Sequence, residues 1–374
     1  MITLAGILEC FEPDYLAQYG HCLLPGQRQA LNAMKRCRTT LAPRMLAQCG
    51  DCGKQQLVPH SCGHRNCPHC QHHESQAWIE RQTQRLVPGN YFLITFTLPA
   101  ELRELIWQHQ RVGYSALMDC AWQTLRSFSQ NHKQLQGTPG AVAVLHTHSR
   151  QLAFHPHVHL VMPAAALDAD KGLWRSLRRS SKGEGYLFNH KALAKVFRGK
   201  LLAALRDEGV ELPPNLPKEW VVDCKGVGNG EKALVYLGRY LYRGVIQEKD
   251  ILRCENGQVT YRWRDSKTQR AATRTVSGVQ FLRLVLQHVL PKGFRRARNF
   301  GFLHPNSKRL IALLKLLVFK RPAGFQTAPP GTAAKPRAQW LCPCCGATMI
   351  VVRRRILPPI PEPAAAQREA IQNP

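Results

Sequence analysis

The chain carries, from residue 154 to residue 161, the run Phe154-His155-Pro156-His157-Val158-His159-Leu160-Val161. Successive side chains of a strand point to opposite faces of a sheet, so the three histidines share one face while Val158 and Leu160 face the core. Burying three neighbouring imidazoles without partners is costly, and a shared metal ion removes that cost because neutral imidazole is the commonest protein metal ligand. The run therefore predicts a metal-binding strand rather than a polar strand with surface histidines. Pro156 donates no backbone hydrogen bond, which predicts a sheet edge or a bulge at the start of the strand.

The chain is strongly basic. Its 374 residues include 52 Lys and Arg against 24 Asp and Glu, a net charge of +28. Eighteen of the basic residues lie between Asp265 and Glu362, a segment without a carboxylate. Such an excess predicts a polyanionic partner, nucleic acid before a membrane surface, because neutralising phosphates supplies most sequence-independent affinity. No apolar stretch approaches the roughly eighteen residues that span a bilayer, and the N-terminus lacks a signal-peptide pattern, so we expect a cytoplasmic protein.

Two Cys-x2-Cys pairs, separated by fourteen residues, indicate a tetrahedral thiolate site. We predict a structural Zn²⁺ ion bound by Cys49, Cys52, Cys67 and Cys70, since four protein ligands leave no open position for chemistry. Three further candidates are left over, and they could replace one of the four, lie beside them or serve a second ion: Cys37, Cys62 and His64.

A third cysteine pair lies near the C-terminus, in Cys342-Pro343-Cys344-Cys345-Gly346. This half of a zinc knuckle has no obvious second half in the sequence. It could borrow Cys10, Cys22 or Cys254, or have lost its metal.

Two tyrosines are spaced as neighbours on a predicted helix. This helix follows the glycine-rich loop 226–230 and runs through about Arg243, and Tyr236 and Tyr240 lie four residues apart on one of its faces. Taken alone, they would be interpreted as packing residues. Beside a divalent cation on His157 and His159, however, a tyrosine hydroxyl could attack a phosphodiester and form a covalent phosphotyrosine.

The motifs together resemble a known family. His157-Val158-His159 is a His-hydrophobe-His motif, and Tyr236-x3-Tyr240 resembles the two-tyrosine signature of HUH endonucleases. With the cysteine module, the chain resembles transposases of the insertion sequence 91 family, which move by rolling-circle transposition. The similarity runs from about Cys37 to Phe302 and includes Cys62-Gly63-His64-Arg65-Asn66-Cys67-Pro68, Phe154-His155-Pro156-His157-Val158-His159, Tyr236-Leu237-Gly238-Arg239-Tyr240 and His288-Val289-Leu290-Pro291-Lys292-Gly293-Phe294.

The resemblance implies an α+β fold, in which an antiparallel sheet with flanking helices follows a small zinc-ribbon-like domain. The histidines would lie on a central strand, just inside the irregularity expected at Pro156, and the tyrosines on a facing helix. His157 and His159 would carry Mg²⁺ or Mn²⁺. His155 is the first choice for a third ligand, followed by His146 or His148 on the preceding strand.

The resemblance also implies an activity. Tyr236 and Tyr240 would nick and transfer single-stranded DNA between insertion-sequence ends and a target, leaving a 3′-OH for host replication. The zinc module would help to recognise the DNA ends. We expect a prokaryotic, nucleoid-associated protein without membrane contact, and the following residues are candidates for DNA binding: Arg239, Arg243, Lys292, Arg295, Arg296 and Arg298.

We expect three parts in the chain: a helical and zinc-binding part over 1–88, a catalytic domain over 89–320, and a linker, half knuckle and disordered tail over 321–374. Two alternatives to a transposase remain. An HUH replication initiator or relaxase would use the same chemistry, although the zinc module and the lack of a helicase P-loop argue against it. A non-catalytic zinc DNA-binding protein would use its tyrosines for packing and its histidines for a structural ion.

Overall fold

The computed structural model describes residues 2–177, 187–242, 244–265, 268–307, 309–310, 312–314 and 340–357. The described helices are α1 (Leu4–Tyr19), α2 (Pro25–Arg36), α3 (His72–Thr83), α4 (Arg103–Gln108), α5 (Gln110–Asn131), α6 (His190–Asp207), α7 (Glu231–Leu241) and α8 (Gly278–Leu286). The described strands are β1 (Arg44–Cys49), β2 (Gln55–Pro59), β3 (Tyr91–Thr97), β4 (Thr138–His148), β5 (Phe154–Pro163), β6 (Ala165–Asp168), β7 (Leu173–Ser176), β8 (Val222–Gly226), β9 (Ile251–Glu255), β10 (Gln258–Arg264), β11 (Ala271–Ser277), β12 (Ala297–Gly301) and β13 (Met349–Ile356). Helices and antiparallel sheets are mixed, which confirms the predicted α+β class.

The largest sheet contains the histidine strand at its centre. Its order is β7-β6-β4-β5-β3-β8, and β12 pairs with β4. Val158 and Leu160 are fully buried on one face, in the core formed with α5 and α6, as their alternation with the histidines predicts. The opposite face, which carries the histidines, is covered by α3 and α7 through a separate apolar cluster that includes Val144, Val161 and Leu237.

A bulge accommodates the proline of the histidine strand. The register between β4 and β5 shifts between His146 and His148, opposite Pro156. On its other side, the Pro156 carbonyl accepts a hydrogen bond of 3.3 Å from the Leu98 amide. Two residues of β5, His155 and Pro156, lie opposite the single residue Thr147 of β4, which is the pattern of a β-bulge. The expected irregularity is therefore a bulge inside a central strand, and the histidine pair follows it.

Two segments that lie far apart in the sequence meet in a small second sheet. Its order is β13-β1-β2, so that residues from the C-terminal segment pair with the strand that precedes Cys52. Nearby, α1 and α2 pack on α8, and with the third sheet, β11-β10-β9, they enclose a common apolar core. The linker predicted over 321–340 and the tail predicted from about Leu357 lie outside the described residues, apart from Trp340 and Leu357 themselves. The three-part division of the sequence stays a prediction.

Candidate active site and cysteine clusters

Two neighbouring strands bring three imidazoles together. His157 and His159 are two residues apart in β5 and share the face turned towards α7. His146 of β4 lies directly across from His157 in the ladder. One ring nitrogen from each of the three lies within 4.8 Å of the others. This is the spacing of ligands around one ion, and the set supplies nitrogen donors only.

The hydrogen bonds of these histidines leave nitrogens available for a metal. The Nδ1 atom of His157 donates to the His155 carbonyl at 2.7 Å, and the Nδ1 atom of His159 lies 2.8 Å from the Thr95 hydroxyl. In both rings Nε2 remains as the ligand atom, an arrangement typical of metal-binding histidines. The Nε2 atom of His146 is buried without a hydrogen-bond partner. A cation would satisfy it, so these residues fit the predicted divalent ion.

Burial keeps the cluster uncharged. Desolvation lowers the pKa of His157 to about 4 and, together with the charge that His157 would carry, the pKa of His159 to about 3. Desolvation lowers the pKa of His146 well below its usual value. The three rings are therefore neutral at pH 7, the protonation state that metal binding requires.

The third member of the cluster is His146 and not His155, the first choice from sequence. The Nδ1 atom of His155, a residue in the bulge near the beginning of β5, lies 2.8 Å from an Arg103 guanidinium nitrogen. His148, beyond the bulge on β4, stacks on Tyr240 with ring centroids 4.9 Å apart and lies outside the cluster. Strand pairing thus selects His146, because it lies across from His157.

The tyrosine helix lies over the histidines. In α7 the leucines at positions 234, 237 and 241 are buried against the sheet, which turns the tyrosine face towards the cluster. The Tyr236 ring centroid lies 6.2 Å from those of both His146 and His159. The Tyr240 ring stacks on His146 at 3.3 Å with an interplanar angle of 9°. The juxtaposition that the two motifs predict is therefore present.

The two tyrosines differ in their surroundings. Tyr236 is 50% exposed. The Tyr240 hydroxyl is buried beside the Arg296 guanidinium and the His148 backbone, without a hydrogen bond of normal geometry. Burial raises the pKa of both phenols, and the guanidinium partly offsets this rise at Tyr240. One phenol thus faces solvent at the cluster and the other is held inside.

The six candidate DNA-binding residues divide into two groups. Arg296 packs over the Tyr240 ring at 5.0 Å and donates to the Leu145 and Leu241 carbonyls at 3.1 and 3.4 Å. Arg298 donates to both carboxylate oxygens of Asp119 at 3.0 Å. These two guanidinium groups therefore stabilise the folded protein through hydrogen bonds within it. The second group is exposed and consists of Arg239, Lys292 and Arg295. The sixth candidate, Arg243, lies outside the described residues.

A cleft lies beside the segment that carries Lys292 and Arg295. Its volume is about 590 Å³, and it is lined by residues 289–297, by residues of the loop 63–71 and by the end of α7. Arg65, Tyr242, Lys292 and Arg295 are among the residues that line it. Positive side chains and aromatic rings in one cleft are a combination typical of nucleic-acid binding.

The cysteines form two clusters, and the predicted set of four is split between them. Cys67 and Cys70 lie with Cys62 and with Cys37, at the end of α2. Cys49 and Cys52, at the turn between β1 and β2, lie with Cys342 and Cys345. The half knuckle near the C-terminus thus finds its partner in Cys49 and Cys52, and not in Cys10, Cys22 or Cys254. The cause is the pairing of β13 with β1, which the Cys-x2-Cys spacing does not encode.

Comparisons with known proteins agree with this architecture. Residues 140–310 match a family model described as "Putative transposase", and residues 7–98 match one described as "Transposase zinc-binding domain". The "Putative transposase y4qJ" of Sinorhizobium fredii is 31% identical over 352 residues, which cover 87% of each chain. The "Transposase for insertion sequence element IS801" of Pseudomonas savastanoi pv. phaseolicola is 28% identical over 358 residues, or 86% of this chain and 82% of that one.

The two family matches contain different candidate sites. The histidine cluster and both tyrosines lie within 140–310. The zinc-binding match contains all four members of the cluster formed by Cys37, Cys62, Cys67 and Cys70, which supports the predicted structural Zn²⁺. Among the described residues, none of the helices is long and apolar enough to cross a membrane.

Proposed function

Since this chain belongs to the insertion sequence 91 family of transposases, which carry an N-terminal zinc-binding domain, we propose that it cuts and transfers single-stranded DNA through a covalent 5′-phosphotyrosine. The observation that supports this proposal most directly is the position of α7, which places Tyr236 and Tyr240 over the histidine cluster. A phosphodiester bound at that cluster would lie within reach of a tyrosine hydroxyl.

His146, His157 and His159 would hold Mg²⁺ or Mn²⁺. When bound, the ion polarises the scissile phosphate and offsets the charge that develops on its oxygens. Thr95 and the His155 carbonyl orient two of the three rings through their Nδ1 atoms. These contacts fix which nitrogen faces the substrate, and α7 excludes solvent from the buried side of the cluster.

Tyr236 would act first, because its side chain is half exposed whereas the Tyr240 hydroxyl is buried. Its phenolic oxygen attacks the phosphorus, the new O–P bond forms and the bond from phosphorus to the 3′ oxygen breaks. The phenol gives up its proton and the leaving oxygen gains one, which produces a free 3′-OH for host replication. The energy of the broken bond is kept in the phosphotyrosine, so that a later attack by a 3′-OH can rejoin the strands.

The exposed basic residues suggest how DNA reaches this site. Arg239 is exposed on the helix that carries both tyrosines, and Lys292 and Arg295 are exposed along the neighbouring cleft. Phosphate neutralisation by such residues gives affinity without sequence preference. Recognition of the insertion-sequence end would then involve the adjoining zinc-binding part, whose residues 63–65 also line the cleft.

A trapping experiment tests the proposal. Full-length protein is incubated with Mn²⁺ and a single-stranded oligonucleotide that contains the end of its insertion sequence, and covalent adducts are resolved on denaturing gels. We expect Tyr236→Phe to abolish the first adduct while DNA binding is retained. Tyr240→Phe should form that adduct and fail in the second transfer. Tyr19→Phe, which changes a partly buried tyrosine of α1 outside both the cleft and the histidine cluster, is the matched control and should behave as the wild type.

Other outcomes would contradict parts of the proposal. A wild-type protein that binds the oligonucleotide in Mn²⁺ without ever forming an adduct would indicate a non-catalytic zinc DNA-binding protein. An adduct that forms on a plasmid origin but not on insertion-sequence ends would indicate a replication initiator or relaxase. An adduct in Tyr236→Phe that is lost in Tyr240→Phe would reverse the order of the two nucleophiles.

A further inference from the structure

The second cysteine cluster joins two segments that lie far apart in the sequence. The sulfur of Cys49 lies 3.5 Å from that of Cys345, and the sulfur of Cys52 lies 3.5 Å from that of Cys342 and 3.6 Å from that of Cys345. A tetrahedral Zn²⁺ ion with Zn–S bonds of about 2.3 Å separates its sulfurs by about 3.8 Å. The four thiols therefore already have the spacing of one ion's ligands.

The two cysteine pairs are built in the same way. In each knuckle the amide of the first cysteine donates to the carbonyl five residues later, Cys49 to Lys54 at 2.9 Å and Cys342 to Ala347 at 2.8 Å. The glycine that follows each pair donates back to the first cysteine's carbonyl, and both glycines have positive φ, 68° at Gly53 and 73° at Gly346. Such turns aim both sulfurs of a pair at one point. Two matching knuckles that face each other indicate a preformed metal site.

The sheet around these knuckles has little else to hold it together. Its buried apolar residues are few: Ala47, Cys49, Val58, Cys342 and Met349. The outer strand, β13, pairs only with β1 among the described strands, from Cys49↔Met349 to Arg44↔Ile356. A core of this size contributes little stability, and small domains of this kind depend on a structural metal or a disulfide.

We infer that Cys49, Cys52, Cys342 and Cys345 bind a second Zn²⁺ ion, which fastens residues 340–357 to β1. Each thiol gives up its proton as its Zn–S bond forms, and no oxidant or reductant is needed. All four positions around the ion are filled by protein, so its role is structural. This site is distinct from the cluster formed by Cys37, Cys62, Cys67 and Cys70, and half of its ligands lie outside both family matches.

Metal analysis of the full chain tests this inference. We expect two zinc ions per wild-type chain and one in the double variant Cys342→Ser/Cys345→Ser. The reciprocal variant Cys49→Ser/Cys52→Ser should also hold one. Cys344→Ser is the matched control, because this exposed cysteine lies between two ligands and outside the cluster, and it should retain two. The ion that remains in both double variants shows that the first cluster still folds.

Hydrogen exchange provides a second measurement. The amides of β13 should lose protection in Cys342→Ser/Cys345→Ser and keep it in Cys344→Ser, while β4 and β5 stay protected in both. A wild-type chain with one zinc ion, or a double variant with two, would overturn the inference. A disulfide among these four cysteines, detected by intact mass of the unreduced protein, would overturn it as well.

Discussion

His146 is the histidine whose role depends most on the fold. Its Nε2 atom is buried and unpartnered next to His157 and His159, whereas His155 turns to Arg103. We expect His146→Gln to weaken Mn²⁺ binding by at least about tenfold, as loss of metal-site contacts does elsewhere. Titration of the zinc-loaded protein with Mn²⁺, followed by electron paramagnetic resonance, measures this affinity.

His155→Gln is the matched control for that experiment. It removes an imidazole from the same strand and leaves the backbone carbonyl that accepts from His157 in place. Its Mn²⁺ affinity should equal that of the wild type. If His155→Gln loses affinity and His146→Gln does not, the third ligand is the one expected from sequence.

The sequence predicts some of these residues and not others, for a physical reason. Alternation along one strand places His157 and His159 on a common face, and helical spacing does the same for Tyr236 and Tyr240. The position of His146 depends on the register between β4 and β5, including the bulge opposite Pro156. Register is a long-range property, so neither the spacing of the histidines nor their number reveals it.

Arg296 and Arg295 are neighbours with opposite expected roles. Arg296 donates to two backbone carbonyls beside Tyr240, while Arg295 is exposed on the wall of the cleft. We expect Arg296→Met to reduce the free energy of unfolding by about 2–4 kcal/mol, because two acceptors lose a charged donor. Arg295→Met should change it by less than about 0.5 kcal/mol, as surface substitutions do. Urea denaturation compares the two variants.

For DNA binding, we expect the opposite order, with the larger effect from the substitution of Arg295. At a temperature where both variants are folded, Arg295→Met should bind single-stranded DNA more weakly than Arg296→Met does. Equal stability of the two variants would mean that Arg296 does not hold α7 beside β4.

At the scale of elements, Gly238 sets how closely α7 approaches α3. A Cβ at this position would collide with Ile79 and lie 2.9 Å from Trp78, and the Ser75 hydroxyl donates to the Gly238 carbonyl at 3.0 Å. We expect Gly238→Ala to destabilise the protein by about 1–3 kcal/mol, since the collision outweighs the higher helix propensity of alanine. Thermal unfolding and the adduct assay both measure the effect, because a displaced α7 carries both tyrosines with it.

Gly199→Ala provides the control within another helix. This glycine lies in α6, a Cβ there would meet no atom within 4 Å, and α6 packs on the face of the sheet away from the site. The substitution should stabilise the chain by up to about 1 kcal/mol and leave adduct formation unchanged. Stabilisation by Gly238→Ala would show that the two helices are not closely packed.

The elements themselves were predictable to different degrees. Strand β3 and the hairpin around Asn256-Gly257 are determined locally, because β-branched residues favour a strand and Asn-Gly is a strong turn signal. Helix α8 begins at Gly278 because Ser277 caps it, its hydroxyl accepting a hydrogen bond from the Gln280 amide. The pairing of β13 with β1 was not predicted, since its partner lies about 300 residues away in sequence and the strand itself is mostly exposed and basic.

At the scale of the whole molecule, the net charge and the fold both determine how the protein binds nucleic acid. The net charge of +28 attracts nucleic acid at long range, and the fold then decides which basic groups remain exposed near the tyrosines. Arg298, bound to Asp119, no longer offers a free charge, whereas Lys292 and Arg295 line the cleft. Basic composition alone predicts a nucleic-acid partner, but it does not separate these groups.

Salt dependence measures how many phosphates those groups neutralise. The logarithm of the affinity for single-stranded DNA should fall linearly with the logarithm of the salt concentration, by about 0.7 for each phosphate contact. We therefore expect Lys292→Met and Arg295→Met each to reduce the slope by about 0.7 and the double variant by about 1.4. Arg206→Met is the control, because this exposed arginine lies on α6, across the sheet from the cleft, and its slope should be unchanged. Fluorescence anisotropy over a range of salt concentrations yields the slopes of the wild type and the four variants, and equal slopes in the cleft variants and the wild type would place the DNA elsewhere on the surface.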